Sequence, residues 1–310
     1  MPSMNKDQND ELVIVIPIFN RFDEIKNLLN QLKIQSYKNF KVLIVDHGTQ
    51  DFILSPSPDT FFVQIVKASS NLWFTGAINR GLEYVYQYYQ NEIKYILLMN
   101  DDIIIEDINF LQRLLDEGSE KKIVSCMAVT KENKIIYSGI QFDKLKLKYK
   151  RIGQGKRLDQ LSEEISPKKI ICDVLPTRCT LVPVKIFKKI GFLNENKLPH
   201  YGSDYEWTSR AKRHGFQLVM LNYIYVKTEI NNKEVSGRKK YKKPAIVNFT
   251  KEFFNKYSRN NIYQIINYSL LVFGFPYNLL FAFYLISRKV AGFLINNIIP
   301  LPFQTKSLSK

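Results

Sequence analysis

The sequence is short of the signatures that mark most phosphate-handling proteins. No G-x-G-x-x-G follows the first apolar run, which disfavours a dinucleotide site of the dehydrogenase type. No G-x-x-x-x-G-K-[ST] occurs, which removes the P-loop hydrolases. A phosphate site here must rely on a metal, not on a glycine cradle. Cysteine is scarce too. Cys126, Cys172 and Cys179 are odd in number and lack metal-ligand spacing, so they read as reduced thiols of a cytosolic protein. Met1 to Glu11 is polar and carries acids, which does not read as a signal peptide. Acid runs out toward the end: from Lys227 onward 14 Lys and Arg face 3 Glu, a surplus of 11 out of the total net charge of +16. Between Arg259 and Arg288 no charge occurs.

What is present suffices for a large core. Hydrophobic residues make up 45% of 310, which argues against global disorder and allows one large α/β domain or two small ones. Leu12 to Ile16 is a continuous β-branched run, as in a strand buried on both faces, and Pro17-Ile-Phe-Asn20 ends it. Asn20 then reads as an N-cap for a helix with Phe22, Ile25, Leu29 and Leu32 at helical spacing. Strands follow at Phe40–Val45 and Phe61–Val66, Asn71–Gly76 leads into a helix that runs through about Tyr89, and Ile93–Met99 is a fourth strand. This β-α-β-β-α-β order predicts a mostly parallel sheet with nucleotide-sized crevices. Further on, a helix is predicted over Asp107–Leu115. Strands are predicted at Lys122–Val129, Lys134–Gln141 and Ile170–Leu175, with a basic loop from Lys144 to Lys156. Pro183–Ile190 reads as a short helix entered through proline, Asp204–His214 as a helix stopped by Gly215, and Leu218–Val226 as a final strand pair.

The chain reads as organised around Leu97-Leu-Met-Asn-Asp-Asp102. An apolar strand ends in an amide and two carboxylates where ligands of open α/β sheets sit. Two adjacent acids, partly desolvated, repel unless a cation joins them, and Mg²⁺ takes one or two carboxylates plus phosphate oxygens. The alternative is a strand-to-loop turn whose acids cap Ile103 onward.

In this order and spacing, six stretches resemble the family 2 glycosyltransferases, which carry the GT-A fold. They are Ile14–Asn20, Val45–Thr49, Asn71–Gly81, Met99–Asp102, Leu181–Glu195 and Tyr201–Arg210, within residues 11 to 227. The likeness is nearest to bacterial rhamnosyltransferase-like enzymes of surface polysaccharides. It implies that Pro17 and Phe19 line the nucleoside pocket and that Asp46 and His47 face the base. Asn71, Gly76 and Asn79 would approach the diphosphate and ribose, with Asn100 beside them. Asp101 would touch ribose or metal, Asp102 would bind Mg²⁺ or Mn²⁺, and Asp204 falls at the position of the catalytic base. The chemistry asks for the same parts: a Lewis acid for the departing diphosphate and a base for the acceptor hydroxyl, in a displacement that inverts the anomeric carbon. Glu206 is the rival base. It sits four residues before Arg210, an obvious surface ion pair, so Asp204 is preferred. On the acceptor side stand Trp73, His200, Tyr201 and Glu206. Family members commonly have an acid where His47 stands, and many have a histidine ligand after the last strand, where this chain reads Tyr225-Val-Lys227.

The expected organisation is a disordered N-terminus (1–10), a GT-A domain (11–227), a basic linker (228–258) and an apolar, aromatic helical tail (259–310). Leu270–Ile286 approaches a membrane span, but Gly274, Pro276 and Asn278 interrupt it, so an interfacial or re-entrant helical pair, or a pair packed on the catalytic domain or another subunit, competes with a span. The expected donor is a UDP-, GDP- or dTDP-linked sugar, and the acceptor a lipid-linked chain or polysaccharide. The expected location is cytoplasmic, at the anionic inner membrane face, without a nucleic-acid partner and with oligomerisation left open. The competing classes are a nucleotidyltransferase, which would want a glycine- and lysine-rich loop after the first strand, and a non-catalytic basic module binding membrane or nucleic acid.

Overall fold

The computed structural model describes residues 12–54, 61–161, 167–228, 245–256 and 258–297. The expected disordered N-terminus and most of the basic linker lie outside them. The chain divides into two compact units, residues 1–230 and 231–310.

The first unit is built on a ten-stranded sheet. Its first half follows the predicted order. Strand β1 (Leu12–Ile18) leads to α1 (Phe22–Lys33), then β2 (Phe40–Asp46), β3 (Phe62–Lys67), α2 (Trp73–Tyr89) and β4 (Tyr95–Met99). Strand β1 lies between β2 and β4, parallel to both, and every β1 side chain is buried, as its unbroken apolar run requires. Pro17 does not end β1; it stays in register opposite Val45. Helix α2 lies close against this layer. A Cβ on Gly81 would sit 2.5 Å from Val15 Cγ1 and 2.8 Å from Val45 Cγ2, so only glycine allows that approach.

The second half follows as β5 (Ile103–Ile104), α3 (Phe110–Leu115), β6 (Lys122–Thr130) and β7 (Ile135–Tyr137). After these come β8 (Ile140–Asp143), β9 (Lys148–Arg151), β10 (Lys169–Ile171), β11 (Cys179–Pro183), α4 (Ile186–Ile190), α5 (Ser203–Arg213) and β12 (Gln217–Thr228). The sheet order is β10-β12-β6-β11-β4-β1-β2-β3, with β5 on β12 and β7 on β6. Within it, β12 and β6 are parallel, and β11 runs antiparallel to both β4 and β6.

Four sequence expectations change. Cys179–Pro183 is a buried strand, and Pro183 closes it instead of opening the next helix. Its polar side chains are satisfied: Thr180 Oγ1 donates to the Pro176 carbonyl at 2.6 Å, and Ser125 Oγ to the Cys179 carbonyl at 3.0 Å. The strand predicted over 134–141 is two strands broken at Gly139, whose φ of 154° no β-branched residue adopts easily. The basic loop folds back as β9, a hairpin with β8. The final strand pair is one strand, β12, with a register shift between Leu221 and Tyr225.

The second unit holds α6 (Ala245–Phe253), α7 (Ile262–Val272) and α8 (Tyr277–Asn297). Asn261 caps α7 by accepting from Gln264 N at 2.9 Å. Helices α7 and α8 form an antiparallel pair: Tyr268 and Phe273 meet Phe281, and Lys289 Nζ donates to the Arg259 carbonyl at 3.3 Å and to Asn260 Oδ1. Helix α6 therefore occupies part of the stretch expected to be linker.

Candidate active site

The carboxyl ends of β1, β2 and β4 open onto a hollow of about 350 Å³. It is lined by Pro17, Phe19, Arg21, His47, Ser70, Trp73, Phe74, Asn100, Asp101 and His200. Strand ends supply the first residues of this set, and the start of α2 and the loop before α5 supply the aromatic wall. Phe19 leans on the His47 ring at 5.2 Å, and Trp73 meets the His200 ring edge-on at 5.3 Å. Burial holds the His47 imidazole below its usual pKa; Asp46 opposes this and His200 reinforces it, so His47 is neutral at pH 7.

Trp73 has φ 54°, a conformation that a bulky aromatic rarely adopts and that costs about 1–3 kcal/mol. The residues after it hold it there. Thr75 N donates to the Pro199 carbonyl at 3.2 Å, and Thr75 Oγ1 donates to the Leu198 carbonyl and lies 2.8 Å from Ser203 Oγ. The first turn of α2 is thereby stitched to the loop carrying His200.

Several expected donor residues make structural contacts within the fold. Asp46 lies beneath the hollow, accepting from Gly48 N, Phe52 N and Lys67 Nζ, each at 3.0 Å. Burial raises its pKa, but those hydrogen bonds outweigh burial and keep it below the ordinary value. Asn79 is buried and clamps the 193–195 loop: its amide donates to the Leu193 carbonyl and Glu195 Oε2 at 2.9 Å and accepts from Leu193 N at 3.0 Å. Gly76 is buried where a Cβ would stand 2.9 Å from Leu72 Cβ, which makes it a packing residue. Asn71 is exposed and outside the hollow's lining. Asn20 is not the cap of α1. It has φ 55°, accepts from Thr49 N and Gln50 N, and so ties the β1 and β2 loops together.

At the end of β4 the two acids part ways. Asp101 faces the hollow and accepts from Arg21 Nη1 at 3.0 Å; burial pushes its pKa up to about 7 against the pull of Arg21. Asp102 lines an adjoining hollow of about 230 Å³ on the far side of Asp101. Its Oδ2 accepts from Arg178 Nη1 and from Thr228 Oγ1, both at 3.0 Å, and its Oδ1 is buried with no hydrogen-bond partner among the described residues.

Asp204 stands in the first turn of α5, where its Oδ1 accepts from Tyr205 N at 2.9 Å. Burial raises its pKa to about 6, while the backbone of Tyr205 and Thr177 and the charge of Arg178 pull the other way. The dipeptide Thr177-Arg178 thus touches both acids: the Thr177 backbone binds Asp204, and the Arg178 guanidinium binds Asp102 and feels Asp204. Two carboxylates 102 positions apart in sequence are joined through adjacent residues.

Glu206 does not share this site. It is buried, not the surface partner expected, and its two oxygens accept from Arg210 Nε at 2.9 Å and Nη2 at 3.0 Å. Arg210 in turn holds the Ile190 and Phe192 carbonyls. Tyr201 is exposed against His200, ring centroids 4.3 Å apart.

Sequence reading missed Arg21, Arg178 and Thr228. Thr228 lies one residue past the stretch where a histidine ligand was sought, and its hydroxyl reaches Asp102. Among the described residues, no group of three or more His, Cys, Asp or Glu could hold a metal ion. The unpartnered Oδ1 of Asp102 is an oxygen that a divalent cation completed by phosphate oxygens could use.

The profile described as Glycosyl transferase family 2 matches residues 13–175. No curated protein sequence matches the chain. Among solved structures, a mannosyltransferase from Pyrobaculum calidifontis with GDP-Man and Mn²⁺ is similar at TM-score 0.50 and 10% identity. The likeness covers 94% of this chain and 76% of that one. TarS 1-349 of S. aureus with UDP gives 0.55 and 14%, over 94% and 76%. GalNAc-T7 with UDP, GalNAc and Mn²⁺ gives 0.57 and 8%, over 95% and 59%. At such identities the structures speak for the fold alone, an α/β sheet of the GT-A kind. With more than half its length matched by the family profile, the chain belongs to glycosyl transferase family 2.

Proposed function

We propose that this glycosyltransferase moves a sugar from a nucleotide-diphosphate donor to a hydroxyl of a lipid-linked or polysaccharide acceptor, with inversion at the anomeric carbon. The observation that carries the reading is the pairing of Asp102 and Asp204 through Thr177-Arg178, with Asp101, the chain neighbour of Asp102, lining the aromatic hollow. The hollow suits a nucleoside, with Phe19 and His47 against the base and Asn100 and Asp101 toward the ribose. Asp102 would hold Mg²⁺ or Mn²⁺, which supplies Lewis-acid stabilisation of the departing diphosphate. Asp204, raised toward neutrality by burial, accepts the proton of the attacking hydroxyl. Trp73, His200 and Tyr201 form the side from which sugar and acceptor are gripped. Neighbouring structures that bind GDP-Man or UDP, two of them with Mn²⁺, support a donor of this class.

The second unit would keep the enzyme at the cytoplasmic membrane face. Tyr277–Ile295 has mean hydropathy 1.4 and is long and apolar enough to cross a membrane, and only 11% of that stretch is buried. Arg288 and Lys289 lie inside it, and near the bilayer centre each would cost about 2.5–3.5 kcal/mol, which favours a helix lying in the interface over one that spans.

The test is a panel of UDP-, GDP- and dTDP-sugars with and without Mn²⁺, read by thermal shift and by nucleotide release. One donor should raise the melting temperature and release nucleotide, and Asp204→Asn and Asp102→Ala should abolish release. Full activity in both variants would refute the assignment.

A further inference from the structure

We propose that Arg178 makes retention of a divalent cation at Asp102 conditional on the donor's diphosphate. The inference rests on the nucleotide-sugar reading above and concerns what this chain adds to it.

One oxygen of Asp102 is claimed from two sides. Arg178 Nη1 lies 3.0 Å from Oδ2, the Thr228 hydroxyl donates to the same atom at 3.0 Å, and Arg178 Nη1 also donates to Thr228 Oγ1 at 2.6 Å. The three groups form a closed triangle at the ends of β4 and β12 and the start of β11. Arg178 is anchored by its main chain as well, since its carbonyl accepts from Asn100 N at 2.8 Å. The neighbouring acid is similarly occupied, with Arg21 Nη1 3.0 Å from Asp101 Oδ1. Each carboxylate thus carries its own guanidinium. The negative field that two adjacent acids would offer a cation is largely cancelled before any ion arrives.

What remains for a cation is the buried, unpartnered Oδ1 of Asp102, with no third acidic, histidine or cysteine ligand beside it among the described residues. One oxygen of a neutralised carboxylate is a poor site for a hard ion that prefers six or more oxygen ligands. A nucleoside diphosphate brings the missing charge and oxygens. Cation and donor then bind as a unit, each strengthening the other by the same factor. Arg178 is a positioning residue in this scheme: it orients one oxygen of Asp102 and sets the charge of the site.

Free Mn²⁺ can be followed by electron paramagnetic resonance on the full chain, first with Mn²⁺ alone and then with UDP, GDP or dTDP. The wild type should bind Mn²⁺ alone weakly, and at least tenfold more tightly with the diphosphate it accepts. Arg178→Gln should bind Mn²⁺ alone at least tenfold more tightly than the wild type and lose most of the coupling. Arg178→Lys, which keeps the charge, should retain it. Thr228→Val leaves the ion pair but removes its second donor, and should move in the same direction as Arg178→Gln by a smaller factor, which serves if that variant folds poorly. Tight binding of Mn²⁺ alone by the wild type would overturn the proposal, as would unchanged or weaker binding by both Arg178→Gln and Thr228→Val. If none of the diphosphates binds, the nucleotide-sugar reading itself fails. If one binds while the variants leave Mn²⁺ affinity unmoved, only the role of Arg178 fails.

Discussion

The environment of Asp204 predicts how the reaction responds to pH. Its carboxyl is held at about 6, against 3.8 for an ordinary aspartate, chiefly by burial. In its proposed role as the base it works only when ionised. With a pKa of about 6, roughly one-tenth of the molecules carry the ionised form at pH 5 and roughly nine-tenths at pH 7. The rate measured with saturating donor and cation should therefore fall about tenfold from pH 7 to pH 5. An aspartate at its ordinary value would lose less than a tenth over the same interval. Saturating donor and cation matters because Asp101 also titrates high, near 7, and a bound cation would draw that group down and out of the window. The same shift has a sign in stability. The folded-state pKa lies above the unfolded one, so the ionised carboxylate opposes folding. That cost is absent below about pH 4, builds as pH rises through 6, and reaches about 2–3 kcal/mol above it. Asp204→Asn should consequently melt higher than the wild type at pH 8, by a margin that vanishes at pH 4, while losing nucleotide release. A rate constant flat from pH 5 to 8, or a variant that is no more stable at pH 8, would refute this account of Asp204.

Three further outcomes are expected. Glu206→Gln leaves the Arg210 guanidinium without its buried counter-charge and should destabilise the fold by about 3–5 kcal/mol in denaturant titrations, while the folded fraction keeps its turnover number. Asn79→Ala removes three hydrogen bonds to the 193–195 loop and should cost about 1–3 kcal/mol, without the selective rise in donor KM that a direct diphosphate contact would produce. Phe283→Asp, on the exposed face of α8, should cut flotation of the full chain with anionic vesicles several-fold and leave nucleotide-dependent thermal shifts intact; unchanged flotation would count against membrane attachment.

The first hundred residues were legible because their information is local. Unbroken Val/Ile/Leu runs mark β1, β2 and β4, and the residues at their ends (Pro17, Phe19, His47, Asn100 and Asp101) line the hollow. Legibility failed where function depends on partners far apart in the chain. Nothing in Thr177-Arg178-Cys179 announces a buried strand: it is five residues long, carries a threonine and ends in proline, a pattern equally suited to a helix start. With β11 unseen, Arg178 could not be placed beside an acid 76 positions away, nor Thr228 beside one 126 away. Asn79 and Gly76 show a different limit of the sequence. They fall in a stretch that resembles the family's donor motif, but their side-chain surroundings are set by Leu193, Glu195 and Leu72. Asn20 likewise has the residue type of a helix cap but spends its amide on the neighbouring loop.

The direction of β11 has a consequence for how this enzyme could be altered. In an all-parallel sheet only the segments leaving strands reach the ligand rim. Here β11 runs against its neighbours β4 and β6, so the segment leading into it, Thr177-Arg178, arrives at the strand ends that carry Asn100 and Asp102. The lead-in to β11 is itself held by the core, with Cys172, Val174 and Leu175 buried, so Thr177-Arg178 is set independently of the turns that follow β1, β2 and β4. A substitution at Thr177 or Arg178 therefore acts on the two acids without passing through those turns.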